Sequence, residues 1–196
     1  MTFRRAAQDD LSAILGLLEA NLADNLSAEE RKRGFLSAKF TRPQLAEMAN
    51  DLGIIVADDG RRIAGFLCAS QLDFNKQFPL LAAMLQHFDR LPYGGKPLSS
   101  CHAFMYGPVC VDRSQRGKGL LRGLYERLLI EVAGKYDVGV AFVAKENPHS
   151  LRAHVDGLGM ADVGEFEFGG RAYAIVAFAV PRSVATAHAF TAVGSS

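Results

Sequence analysis

The chain has 196 residues, 49% of them hydrophobic and 22% charged, a mix that excludes a disordered or fibrous polypeptide and supplies enough apolar mass for a core of its own. With 22 Lys and Arg against 21 Asp and Glu the formal net charge is +1, so no global field draws the chain to nucleic acid or an anionic membrane, and an anion site must be local. Cys68, Cys101 and Cys110 are odd in number, lack CxxC spacing and sit among apolar neighbours, which points to reduced, buried thiols rather than disulfides or a zinc site.

Residues 2–6 read as a short strand. Asp9 or Asp10 then caps a helix whose apolar positions Leu11, Ile14, Leu15, Leu18 and Leu22 recur at helical spacing. The stretch from Ser27 to Arg33 is polar and leads into Gly34-Phe35-Leu36-Ser37. A second helix starts at Thr41 or Arg42, with Pro43 in its first turn, and runs toward Gly53. Gly53 to Ala57 and Ile63 to Ser70 are apolar strands around the turn Asp58-Asp59-Gly60. Residues 73–98 form an insertion with one amphipathic helix carrying Leu80, Leu81, Met84, Leu85 and Phe88, ended by the run from Leu91 to Pro97.

Strand Ala103 to Val111 comes next, then a glycine turn and a helix from about Leu120 to Ala133, with Leu120, Leu121, Leu124, Leu128 and Val132 on one face. Val138 to Ala144 is a strand. Asn147-Pro148 opens a helix that ends near Gly157 to Gly159, and Val163–Phe168 with Ala172–Val180 make a hairpin around Gly169-Gly170. The alternation implies an α/β (α+β) fold with a mixed sheet and helices on its faces. We expect a single domain over 1–180 and a weakly structured tail over 181–196. No secretory signal follows Met1, and the longest apolar run, Ala174 to Val180, is too short to span a bilayer, so a cytoplasmic location is expected.

The chemistry concentrates at Asp112-Arg113-Ser114-Gln115-Arg116-Gly117-Lys118-Gly119, between a strand and a helix. Glycines let a backbone turn sharply and approach a ligand, and free N–H groups of a first helical turn attract anions. Arg113, Arg116, Lys118 and Arg122 add charge. Two phosphate motifs do not fit: Gly119 stands where a Walker A loop needs Ser or Thr, and Arg122 where a dinucleotide fingerprint needs its third glycine. A nucleic-acid surface would need a longer basic stripe than these four residues provide.

The stretch Val-x-Val-Asp-x-x-x-Arg-Gly-x-Gly-Leu, from Val109 to Leu120, resembles motif A of the GNAT acetyltransferase superfamily, with Leu121 in place of the usual small residue. The block Glu146-Asn147-Pro148-His149-Ser150, closing with Leu158-Gly159-Met160, is similar to that superfamily's motif B, and Arg4 to Leu11 to its opening strand and helix. The resemblance spans roughly residues 3–180.

It implies a centrally splayed sheet of about seven strands and an acyl-CoA-dependent N-acyltransferase, with acetyl-CoA as acyl donor, no metal, and a primary amine of a small molecule or peptide as acceptor. It further implies backbone groups of Val109, Cys110 and Val111 along the pantetheine arm. N–H groups of Arg116, Gly117, Lys118, Gly119, Leu120 and Leu121 would hold the pyrophosphate, and Asn147 and Ser150 would touch the cofactor. His154 occupies the position of the family's general acid, commonly a tyrosine; it could equally be a packed helix residue. Glu146, Tyr106 and His102 are candidates for the base, with Glu146 alternatively a helix cap. The acceptor would lie between the 34–41 loop and the insertion, in aromatic-rich surroundings. A non-catalytic acyl-CoA-binding sensor on the same fold is the alternative, and a homodimer is compatible with either.

Overall fold

The computed structural model of the chain describes residues 1–187. Strand β1 (Thr2–Arg5) leads into α1 (Leu11–Glu19), where Leu11, Ile14 and Leu18 are fully buried; each such side chain contributes about 1.5–3 kcal/mol on leaving water. Helix α2 (Arg42–Asn50) opens with a reciprocal cap, Thr41 N–H donating to Gln44 Oε1 and Gln44 N–H to Thr41 Oγ1. Strands β2 (Gly53–Asp58) and β3 (Ile63–Gln71) form the expected hairpin.

The insertion is more broken than its apolar spacing predicts. A short helical turn, Leu72–Asn75, precedes α3 (Pro79–Leu85), and Phe88 falls in a separate 3-10 turn, Phe88–Arg90. Pro79 causes the first break, because it has no N–H to continue a helix and suits a first helical turn. A small hairpin pairs Pro92–Tyr93 with Lys96–Pro97.

Strand β4 (Ala103–Val111), α4 (Leu120–Val132), β5 (Val138–Ala144), α5 (Pro148–Leu158), β6 (Ala161–Phe168) and β7 (Arg171–Ala179) complete the order read from the sequence. Of the tail assigned to 181–196, residues from 188 on lie outside the described residues. Before them, Ser183 Oγ accepts the Thr186 N–H at 3.2 Å and Ala187 is buried.

The main sheet has seven strands in the order β1-β2-β3-β4-β5-β7-β6. Every pairing is antiparallel except β4 with β5. One face carries α4 and α5, which pack on Leu67, Phe104, Tyr106 and Phe178. The other carries α1 and α2 on Ile54, Val56 and Phe66, and the insertion on Met105, Val140 and Ile175.

The parallel pair is the feature that makes room for a site. β4 and β5 meet only at Ala103↔Val138, Phe104↔Gly139 and Met105↔Val140. Beyond Met105 each strand stays with its outer neighbour: β4 with β3 as far as Gly65↔Val111, β5 with β7 as far as Ala144↔Tyr173. The inner edges therefore part into a V. A bulge on β4, opposite Leu67 to Ala69, bends the strand where the opening starts, and Pro108 within it has no N–H to offer a partner.

Candidate active site

The glycine turn leaves β4 through Asp112, whose Oδ1 accepts the Ser114 N–H at 2.9 Å and fixes a short 3-10 turn, Arg113–Gln115. Gly117 and Gly119 then adopt left-handed backbone at φ +76° and +78°, and Gly119 is the N-cap of the 13-residue α4. A Cβ at either glycine would meet nothing within 4 Å, so backbone hand and not crowding demands glycine there. The N–H groups from Gly117 through Arg122 have no partner among the described residues. They are the free donors of a helix start, where the helix dipole adds partial positive charge.

Arg116 departs from the reading of the turn as a cluster of anion-facing cations. Its Nε donates to Val111 O at 3.1 Å, one terminal nitrogen to Arg33 O, and the other to Asn21 Oδ1 at 3.0 Å. The half-buried guanidinium is thereby consumed in tying the 33–36 loop and α1 to the end of β4. Arg113 is paired with Glu30, and Arg122 donates to Gly157 O at 2.7 Å. Lys118 stays exposed and, among the described residues, bonds the neutral Gln115 Oε1 at 3.1 Å.

Two cavities meet at the V. The first, about 190 Å³, lies between the Val109–Val111 edge, the glycine turn with Leu120 and Leu121, and α5. Residues Arg33 to Leu36 roof it. The second, about 100 Å³, runs through the splay to the face that carries α2 and the insertion. Phe35, Leu36, Val109, Ser150 and His154 line both.

No protein-family model matches the sequence, and no curated protein matches it. Solved structures match it in shape. The Salmonella typhimurium protein YncA, solved with its cofactor acetyl-CoA, superposes with a TM-score of 0.61 at 21% identity, over 92% of this chain and 94% of that one. The ribosomal-protein-S18-alanine N-acetyltransferase of Escherichia coli gives 0.59 at 13% identity over 92% and 94%. A GNAT-family protein from Desulfovibrio desulfuricans gives 0.58 at 14% identity over 91% and 98%. The chain has the GNAT N-acetyltransferase fold. Identities this low establish the fold, and the chemistry has to be read from this chain's own residues.

Within this GNAT fold His154 is, with Ser150, a polar side chain at the meeting of the two cavities. It is 4% exposed, and its Nδ1 lies 2.7 Å from Ser150 O. A carbonyl carries no proton, so Nδ1–H donates and Nε2 is left as an acceptor. Burial lowers the pKa of this imidazole from its ordinary value. The neutral imidazole is therefore favoured at rest, with Nε2 its free acceptor.

Tyr106 packs edge-on to His154, with ring centroids 5.5 Å apart. Its hydroxyl is the one buried side-chain polar atom without a partner among the described residues, and burial raises its pKa well above the ordinary 10. A phenol so placed keeps its proton near neutrality, and it lines the second cavity. Glu146 reaches neither cavity: it is exposed and faces Arg171 at 3.5 Å. It does not cap α5 either. That cap is Asn147, whose Oδ1 accepts the Ser150 N–H at 3.2 Å. His102 stacks on Tyr136 at 4.5 Å, away from both cavities.

Asn147, expected on the cofactor, lines the second cavity. It is 3% exposed, and its Nδ2 donates to Phe35 O at 2.9 Å, holding the cavity roof from below. Ser150 lines both cavities, with Oγ 3.5 Å from His154 Nδ1. Cys110 is buried, its thiol pushed up to about 12 by burial, so it offers backbone and not thiolate chemistry. Sequence reasoning missed Asn21, and put the 34–41 loop at the acceptor without its place over the first cavity. The one local signal was Gly34, which sits at φ +98° under His149, Asn147 and Arg116.

Among the described residues no group of three or more His, Cys, Asp or Glu could hold a metal ion. Among the same residues no helix is long and apolar enough to cross a membrane.

Proposed function

We propose that the chain is an acetyl-CoA-dependent N-acetyltransferase that acts by direct attack of a primary amine on the thioester. The observation that carries this reading is the join: a cavity under an anion-binding turn meets a second cavity through the splay of β4 and β5, with His154 at the junction. The residues present fit the donor. A pyrophosphate needs several convergent donors, and the unpaired N–H groups from Gly117 to Arg122 supply them where Lys118 adds charge. The inner edge of β4 pairs with no strand at Val109 to Val111, and apart from Val111 O, which Arg116 takes, it is left for the pantetheine amides; the similar Salmonella protein was solved with acetyl-CoA.

His154 Nε2 takes a proton from the acceptor ammonium. The freed amine nitrogen attacks the thioester carbon, the C–S bond breaks, the imidazolium just formed returns its proton to the leaving thiolate, and the second proton of the attacking nitrogen leaves to solvent as the amide forms. A single buried histidine thus serves both proton transfers, and no carboxylate is required. A backbone N–H at the splayed edge of β4 polarises the carbonyl.

The test has two arms. Calorimetric titration with acetyl-CoA reads donor binding, and coenzyme A thiol release with a panel of primary amines reads turnover. Binding with turnover supports the reading. Binding without turnover of any amine, peptide N-termini included, makes the protein a non-catalytic acyl-CoA binder. No binding overturns the reading.

A further inference from the structure

The second cavity is walled by soft apolar side chains from three parts of the chain. Met48 comes from α2, Leu81 from the insertion, and Met105 and Phe142 from the parting edges of β4 and β5. No Asp or Glu lines it. An ammonium group brought there beyond the one that reacts would be stripped of water with no counter-charge, a cost of several kcal/mol. Polyamines and basic peptides are thereby disfavoured.

Polar side chains also line it: Ser37, Tyr106, Asn147, Ser150 and His154 toward the junction and strands, and Asn75 on the insertion. Asn75, in the helical turn Leu72–Asn75, is 1% exposed and lines the cavity. Its Nδ2 donates to Gln71 O at 2.7 Å and to Ser70 Oγ at 2.8 Å. Gln71 O can only accept, so the amide orientation is fixed and both N–H groups are used. Unlike the sealed Tyr106 hydroxyl, Oδ1 keeps some solvent access, and it accepts no hydrogen bond from the described residues. The cavity therefore offers a basic imidazole nitrogen at the junction and a fixed carbonyl acceptor elsewhere on its wall.

We infer that the second cavity takes the acyl acceptor, and that this acceptor is a monoamine on a compact apolar body with a hydrogen-bond donor remote from its amine. This rests on the acetyl-transfer reading above. The body is compact because the cavity is about 100 Å³ and opens at its junction with the first, where the amine end sits. Asn75 Oδ1 receives the remote O–H or N–H; a body without that donor leaves the oxygen desolvated and unpaired.

The experiment is a thiol-release assay of the full chain with tyramine, phenethylamine, isoamylamine, spermidine and lysine, with acetyl-CoA binding measured in parallel by calorimetry. The expected result is turnover of the three monoamines over spermidine and lysine, with tyramine ahead of phenethylamine by about tenfold in kcat/KM. Asn75→Leu should bring the two aryl amines within about twofold of each other. Should that variant not fold, the wild-type ratio and Leu81→Phe decide. Leu81→Phe fills the cavity and should raise the KM for tyramine while acetyl-CoA affinity stays unchanged. Preference for spermidine or lysine, equal use of tyramine and phenethylamine, or donor binding with no amine in the panel acetylated would overturn this inference and leave the donor site standing. Loss of acetyl-CoA binding itself would remove both.

Discussion

His154 Nδ1 lies 2.7 Å from the carbonyl oxygen of Ser150, one helical turn earlier on α5. The contact assigns the resting proton to Nδ1 and leaves Nε2 as the basic atom, and burial keeps the ring neutral below its ordinary pKa of 6.5. The sign for activity follows. kcat/KM should rise with pH along a limb whose midpoint lies below 6.5, as His154 loses its proton. His154→Gln should lower kcat/KM by ~10²–10³ and erase that limb. A rate that falls as pH rises through the same range would make His154 the resting acid instead.

The same shift predicts stability. A histidine with a depressed folded pKa contributes stability that is present above its unfolded pKa and is lost as pH falls below it. His149 is shifted in the same direction, by burial and then by Arg116 and Arg152. Tm should therefore decline below pH 6.5, and less steeply in His154→Gln. A Tm that is flat in this range would mean that His154 can be charged in place without cost.

Arg116 is predicted to act as a clasp. Its guanidinium serves Val111 O, Arg33 O and Asn21 Oδ1, and Asn21 is 2% exposed. Arg116→Lys keeps the charge but cannot span three acceptors in a fork. It should cost about 2–3 kcal/mol in denaturant unfolding, through acceptors left unpaired in buried surroundings, and loosen the roof over the first cavity. If the charge of Arg116 were what mattered, Arg116→Lys would retain both stability and acetyl-CoA affinity.

The contrast between these residues shows what was legible in the sequence. α1 and α4 were readable because one helix face buries leucines at regular spacing, and the β2–β3 and β6–β7 hairpins because turn residues punctuate apolar runs. The turn at Gly117 and Gly119 was readable because left-handed backbone needs glycine. Side-chain partners were not readable. Arg116 and Arg33, or Asn147 and Phe35, are far apart in sequence, and only the packed fold shows that the first of each pair holds a loop. Glu146 and Asn147 are adjacent, yet the chain's exit from β5 turns one to solvent and the other inward. Asn75 lay in an insertion whose path no local pattern specifies.

Gly119 sets up a test that separates backbone strain from ligand approach. At φ +78° a β-branched residue costs ~1–2 kcal/mol, yet its Cβ would meet no atom within 4 Å in the free protein. Gly119→Val should lower Tm modestly and weaken acetyl-CoA binding at least tenfold, because the side chain occupies the ligand's approach to the turn. Gly169→Val supplies the control. Gly169 is also left-handed, at φ +57°, in the β6–β7 turn away from both cavities. It should show the Tm loss alone. Equal loss of binding in the two variants would trace the effect to general destabilisation.

The orphaned hydroxyl of Tyr106 gives the last test, and its sign is unusual for a core substitution. A buried hydroxyl without a partner has lost its water and gained nothing in return, at a cost of about 1–3 kcal/mol. Tyr106→Phe removes that oxygen and keeps the ring that packs edge-on against His154, Tyr125 and Phe178. The variant should be more stable than wild type by about 1 kcal/mol in denaturant unfolding. Its pH–rate profile should match wild type, since a phenol held well above pKa 10 does not change charge near neutrality. A gain in stability together with a large fall in kcat would show that the oxygen is kept unsatisfied for the reaction, with His154 and Tyr106 sharing the proton work that we assign to His154 alone.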